Sequence, residues 1–139
     1  MRLILAVATI LLVAGCVDVN DTPVNTRPAT VTKQDHGFVQ TGIIDDLKDP
    51  GSAQTRNLVA YDLSDGQGRI ICGQMNGKNS FGAYVGYQPF YIRVKDGAVV
   101  SKIVGTGSEM DPTDANRALE GCTNAATGQM KIGGAATAG

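Results

Sequence analysis

Hydrophobic positions along the chain fall into distinct regimes. Residues 3–14, LILAVATILLVA, form an apolar run broken by one threonine. Residues 17–34, VDVNDTPVNTRPATVTKQ, show no sustained period, and such a composition buries too little apolar surface to offset the entropy of ordering it. From residue 35 to Cys122 the pattern becomes periodic. Val39, Ile43, Ile44 and Leu47 follow helical spacing. Thr41 is a candidate cap, Asp45 and Asp46 suit the early helix, and Pro50 disfavours helical geometry at Asp49. Residues 57–63 and 69–75 read as strands flanking the turn SDGQG. Phe90, Ile92 and Val94 then alternate with Tyr91, Arg93 and Lys95, and Asp96-Gly97 joins that strand to residues 98–104 in a hairpin. Asp111 and Pro112 open a second helix that Gly121 stops. Residues 123–139, mostly Ala, Gly and Thr, read as a disordered tail. The order predicts an α+β domain over residues 35–122. It is a small antiparallel β-sheet meander with an N-terminal and a C-terminal helix packed on one face.

The apolar start carries an address. Arg2 is the only charge before Asp18, and a basic start, a short apolar stretch and small residues describe an export signal. As a helix the run spans about 18 Å, short of the roughly 20 residues that cross a bilayer core. Val13-Ala14-Gly15-Cys16 resembles the lipobox of bacterial lipoproteins. That resemblance implies removal of residues 1–15 as a signal peptide, diacylglycerol on the Cys16 sulfur and a fatty acyl group such as palmitate on the new amino terminus. Residues 16–34 are then a flexible tether averaging roughly 20–25 Å. The expected location is the bacterial cell envelope, lipid-anchored and facing the periplasm. Asp18, one position beyond Val17, leans the choice towards the outer membrane over the inner.

Three cysteines in an exported chain leave one unpaired, and lipid on Cys16 accounts for it. The periplasm is oxidising, so Cys72 and Cys122 are expected to form a disulfide. A redox or metal pair is the weaker reading, since there is no CxxC and the one histidine, His36, lies far off in the sequence.

Composition narrows the chemistry. With 12 basic and 13 acidic residues and a net charge of −1, the chain lacks the basic excess of a nucleic-acid binder. His36 sits beside the expected tether, where positioned proton transfer is impractical. Asp45 and Asp46 are adjacent on one expected helix, about 100° apart, and cannot jointly flank a bond. No spacing matches a metal centre. The segment Gly73 to Lys78 has three residues between its glycines where a phosphate loop needs four, and Asn79 stands where Ser or Thr should follow the lysine. The domain is therefore read as non-catalytic, with no cofactor and no metal.

One stretch stands out. Residues 72–93 gather Asn76, Lys78, Asn79, Tyr84, Tyr87, Tyr91 and Arg93, and Tyr and Arg displayed on a sheet are typical of recognition patches. The same residues also fit a plainer arrangement, with Tyr84 and Tyr87 packed on the helices and Asn76, Lys78 and Asn79 closing a turn. LKDPGSAQTR at residues 47–56 and CGQMNGKNSFGAYVGYQPF at residues 72–90 resemble a family of small exported bacterial lipoproteins. Its pattern is LKDPxSAxxR followed by CGxxNxKNSFGxYxGxxPF. Cys72, Asn76, Lys78, Phe81 and Tyr84 fit, while Thr55 stands where an apolar residue is commoner and Ala83 where glycine is. The resemblance implies the domain and names no activity. These readings predict a membrane-anchored periplasmic lipoprotein whose domain binds an envelope protein or a cell-wall component such as peptidoglycan. A periplasmic lysozyme-type enzyme inhibitor and a weak hydrolase using Lys78 or a carboxylate are the alternatives.

Overall fold

A computed structural model describes residues 22–105 and 112–132. The expected signal peptide, Cys16, the Asp111 cap and residues 133–139 lie outside these.

Among the described residues the strands and α-helices are, in chain order, strands β1 (Thr22–Val24) and β2 (Thr26–Ala29), helix α1 (Lys33–Gly42), strands β3 (Gln54–Leu63), β4 (Arg69–Asn76), β5 (Gln88–Lys95) and β6 (Ala98–Val104), helix α2 (Thr113–Thr127) and strand β7 (Met130–Ile132). Strands β2 to β6 form an antiparallel meander in chain order, and β1 pairs with β7 in a separate two-stranded ribbon. The fold is α+β, with the disulfide between Cys72 and Cys122.

The helices do not share a face. In an extended strand neighbouring side chains point to opposite sides, and β4 and β5 are apolar on both. Ile70, Cys72 and Tyr91 are buried with Leu63, Ala118 and Ala125 beneath α2. Ile71, Phe90 and Ile92 are buried with Val39 and Ile43 beneath α1. The sheet is thus a middle layer, and the continuous apolar runs at residues 70–72 and 90–92 reflect strands covered twice. A single-faced sheet would have left Ile71 and Ile92 in water.

The first helix also begins earlier than its apolar spacing indicated. Thr32 caps α1, its hydroxyl accepting from the Asp35 N–H at 3.2 Å while Asp35 Oδ2 accepts from the Thr32 N–H at 2.7 Å. This reciprocal capping box starts the helix at Lys33 and leaves Ile44–Asp46 as a separate 3-10 turn. Asp35 reaches further, to Arg69 at the start of β4. Arg69 Nε and Nη2 each donate at 2.8 Å to the two Asp35 oxygens, and Nη1 donates at 2.6 Å to Asp62 on β3. Asp35 is 1% exposed. Its burial raises the carboxyl pKa more than any other single influence. The hydrogen bonds from Arg69 and from the Thr32 amide and hydroxyl, together with the Arg69 charge, outweigh that and hold it below the ordinary carboxylate value.

Both ends of the domain extend past their expected limits. Residues 22–34 are no tether over their described length, because Val24 is buried with Leu63 and Met130, and the Thr26 hydroxyl donates to the Ala125 carbonyl. The segment from residue 123 to Ile132 continues α2 and then supplies β7. Gly121 does not stop α2. It sits inside the helix because a Cβ there would lie 2.9 Å from the Tyr91 ring, so the missing side chain lets helix and sheet approach. The stop is Gly128, whose left-handed backbone (φ 76°) ends the helix. Pro112 precedes the first turn at the N-cap position.

Candidate recognition surface

Between Asn76 and Gln88 the chain leaves the sheet for residues 77–87. Lys78 and Tyr84 form an isolated antiparallel bridge, and the Val85 N–H donates to the Gly77 carbonyl at 3.3 Å. Asn79 closes the outer end. Its N–H donates to the Ala83 carbonyl at 2.8 Å, and its side-chain oxygen accepts from the N–H groups of Phe81 and Ala83 at 3.0 and 3.1 Å. The result is a small hairpin outgrowth with Phe81 at its tip. Phe81 is 95% exposed, with Tyr84 at 46% and Val85 at 41%. An aromatic ring held almost wholly in water by a hydrogen-bonded loop forgoes about 1.5–3 kcal/mol of burial.

Residues 47–56 brace this loop from below. Ser52 is buried, its hydroxyl accepting from the Lys78 N–H at 2.9 Å and donating to the Asp49 carbonyl at 2.8 Å. Leu47 lies against Gly77, where a Cβ would sit 3.3 Å from its Cδ1. Next to it, β3 is irregular between Arg56 and Val59, and Asn57 adopts φ 54°. Asparagine tolerates that region better than most residues, and bulges of this kind re-aim neighbouring side chains. The Arg56 guanidinium lies 3.6 Å over the Tyr87 ring, and its Nε donates at 2.9 Å to Gln74 Oε1. The Tyr87 hydroxyl donates to Gln54 Oε1 at 3.4 Å. Lys78 Nζ lies 5.5 Å from the Tyr84 ring centroid. The loop therefore carries two cation–aromatic pairs, and among the described residues neither cation has a carboxylate within 4 Å.

The residues singled out from the sequence divide accordingly. Lys78, Asn79, Tyr84 and Tyr87 gather in the loop. Asn76 lies buried at its base with its side-chain oxygen unpaired. Tyr91 does not join them. It is 6% exposed beneath α2, and burial pushes its hydroxyl pKa up while the Arg93 charge draws it partly back. Arg93 stands apart too, donating to the Gln67 carbonyl at 3.0 and 3.2 Å near the β3–β4 turn. Neither loop tyrosine belongs to the hydrophobic clusters beneath the helices. Asn79 does close a turn, so that part of the plainer arrangement holds. Arg56 was missed, and the available signal was its place at the end of LKDPGSAQTR.

No protein-family model, curated protein or solved structure matches the chain. Among the described residues no helix is long and apolar enough to cross a membrane, and no three His, Cys, Asp or Glu side chains gather to hold a metal.

The role of Asn79 is open to a direct test. Asn79→Ala removes the acceptor of two amide bonds, worth about 1 kcal/mol each where not replaced by water. Amide hydrogen exchange at Phe81 and Ala83 is expected to quicken at least fivefold, with the exchange of β4 and β5 unchanged. Exchange that quickens equally across the sheet would mean that Asn79 supports the whole fold and not the loop.

Proposed function

We propose that the chain is a membrane-anchored periplasmic lipoprotein whose small, non-catalytic domain binds another envelope macromolecule through the 77–87 loop. The observation that carries this reading is Phe81, exposed at the tip of a braced loop whose Tyr84 and Tyr87 each lie against a cation. Aromatic residues and arginine together are the usual anchors of a protein interface.

The placement of the loop supports the same reading. Strand β2, directly after β1, begins beside the β3–β4 turn, where Thr26 pairs with Leu63 and the Ser64 N–H donates to the Asn25 carbonyl. The loop adjoins the other end of β3, where Gln54 pairs with Asn76. Ten residues of strand separate these ends, about 33 Å. Five residues, 17–21, lie between Cys16 and Thr22, a reach of at most about 20 Å. Lipid on Cys16 would thus keep the turn end near the bilayer and set Phe81 on the far side, facing outward.

Metabolic labelling with an alkyne palmitate analogue, combined with a photo-crosslinking residue placed at Phe81 or at Asp65, tests both halves. The expected result is label that disappears in Cys16→Ser, and a discrete crosslinked adduct from position 81 but not from position 65. An unlabelled chain with an intact Met1 terminus would overturn the anchoring. An adduct from position 65 alone would overturn the choice of surface.

A further inference from the structure

We infer that Arg56 and Lys78 form a carboxylate-binding site that takes an acidic, apolar-flanked peptide segment of a partner protein. The inference rests on the loop end being the recognition surface and adds the chemistry of what it binds. Arg56 is pre-organised: the Tyr87 ring lies 3.6 Å beneath the guanidinium and Gln74 Oε1 holds Nε. Gln74 is itself steadied by the Asn57 amide at 3.4 Å, and Tyr87 by Gln54. The terminal guanidinium nitrogens have no acceptor among the described residues. A planar, fixed guanidinium with two unused terminal nitrogens matches a carboxylate, which it binds through two parallel hydrogen bonds.

Charge complementarity points the same way. The chain as a whole carries −1, yet Arg56 and Lys78 have no carboxylate within 4 Å among the described residues, a condition that Lys33, Lys48, Arg93 and Lys95 share. Arg56 and Lys78 differ from those in each standing over an aromatic ring. Arg27, Arg69, Lys102 and Arg117 each have a carboxylate partner. The apolar half of the ligand follows from exposed Phe81 and Val85 on the same loop. A neutral glycan would satisfy neither cation, whereas a peptide with acidic residues beside aliphatic or aromatic ones offers carboxylates to Arg56 and Lys78 and an apolar group to Phe81.

Panning a random heptapeptide display library against the full chain, carrying Cys16→Ser and held in mild detergent, tests this. Recovered peptides are expected to be enriched in Asp or Glu next to apolar residues. Their synthetic copies should lose at least tenfold in affinity when Asp and Glu become Asn and Gln, and again when Arg56→Lys is introduced. Lysine keeps the charge but lacks the fork and the stacked plane. Lys78→Ala, a change at a surface amine, should weaken binding severalfold and serves if Arg56→Lys fails to fold. Enrichment without acidic bias, no enrichment, or affinity unmoved by both variants overturns the inference. Arg56-dependent binding of soluble muropeptides in place of peptides does so as well. If position 81 still crosslinks while the peptides show no preference for acids, the surface stands and the carboxylate site falls. If position 81 does not crosslink, the underlying reading has failed first.

Discussion

Arg69→Ala is expected to lower the stability of the domain by about 3–5 kcal/mol at neutral pH, because it strands a buried carboxylate. Asp35 sits 1% exposed with both oxygens engaged by Arg69, and only the Thr32 groups would remain to it. The same guanidinium also holds Asp62 and the Thr30 carbonyl, so one side chain joins the start of α1 to β3, β4 and the segment after β2. The pH dependence gives the loss a signature. In the wild type Asp35 is held below its ordinary pKa, so the unfolded chain binds its proton first. The pair's contribution is therefore complete above the unfolded value of about 3.9 and fades as pH falls through the lower folded value. The gap between wild type and Arg69→Ala, read from urea unfolding, should be widest near neutrality and narrow in strong acid, where Asp35 is protonated in both. Asp35→Asn should remove this group's share of the acid sensitivity. A loss below about 1 kcal/mol, the range of a solvent-exposed pair, or a gap that does not change with pH, would show that the contact contributes little.

Reducing the disulfide is expected to have a comparable effect. Cys72 lies on the central strand, 3% exposed, and Cys122 lies on α2, 50 positions further along the chain. In the chain-entropy account a loop of that length is worth about 4 kcal/mol through the constraint it places on the unfolded chain. Whole domains have only about 5–15 kcal/mol in hand. The bond also bears on where unfolding begins, since α2 reaches the sheet through small residues, Ala118, Gly121 and Ala125, that bury little surface each. Cys122→Ala should shift the urea midpoint down by the equivalent of a few kcal/mol, and amides of α2 and of the β1–β7 ribbon should exchange sooner than those of β4 and β5. Cys72→Ala should cost slightly more, since it also leaves a gap in a filled core. A midpoint unmoved by reductant would mean that packing alone holds α2.

The two effects act on opposite faces of the domain. The disulfide fixes α2 to one side of β4, and Arg69, at the first residue of the same strand, fixes the start of α1. Between them lie Ile70 and Ile71, both with no exposed surface. The 77–87 loop leaves the other end of β4, so the strand that is most firmly held is also the one that presents Phe81.

Much of this architecture was legible along the chain because its causes are local. The alternation of residues 90–95, the Asp96-Gly97 turn and the Pro112 helix start each depend on neighbours a few positions away, and they yield the meander and the second helix. The pairing of Cys72 with Cys122 was expected from the cysteine count and the expected compartment, and the bond is present. Three features were decided by contacts between distant segments. An apolar run such as Ile70-Ile71-Cys72 announces burial without saying which helix covers which side, so only packing placed α1 and α2 on opposite faces. Val24 and Met130 gain burial only once β1 and β7 are brought together, so their polar surroundings read as tether and tail. Arg56 acquires its place over Tyr87, and Ser52 its bond to the Lys78 amide, across 31 and 26 positions of sequence. Periodicity reports what a segment wants to bury; which partner arrives to bury it, or leaves Phe81 bare, is settled by the fold as a whole.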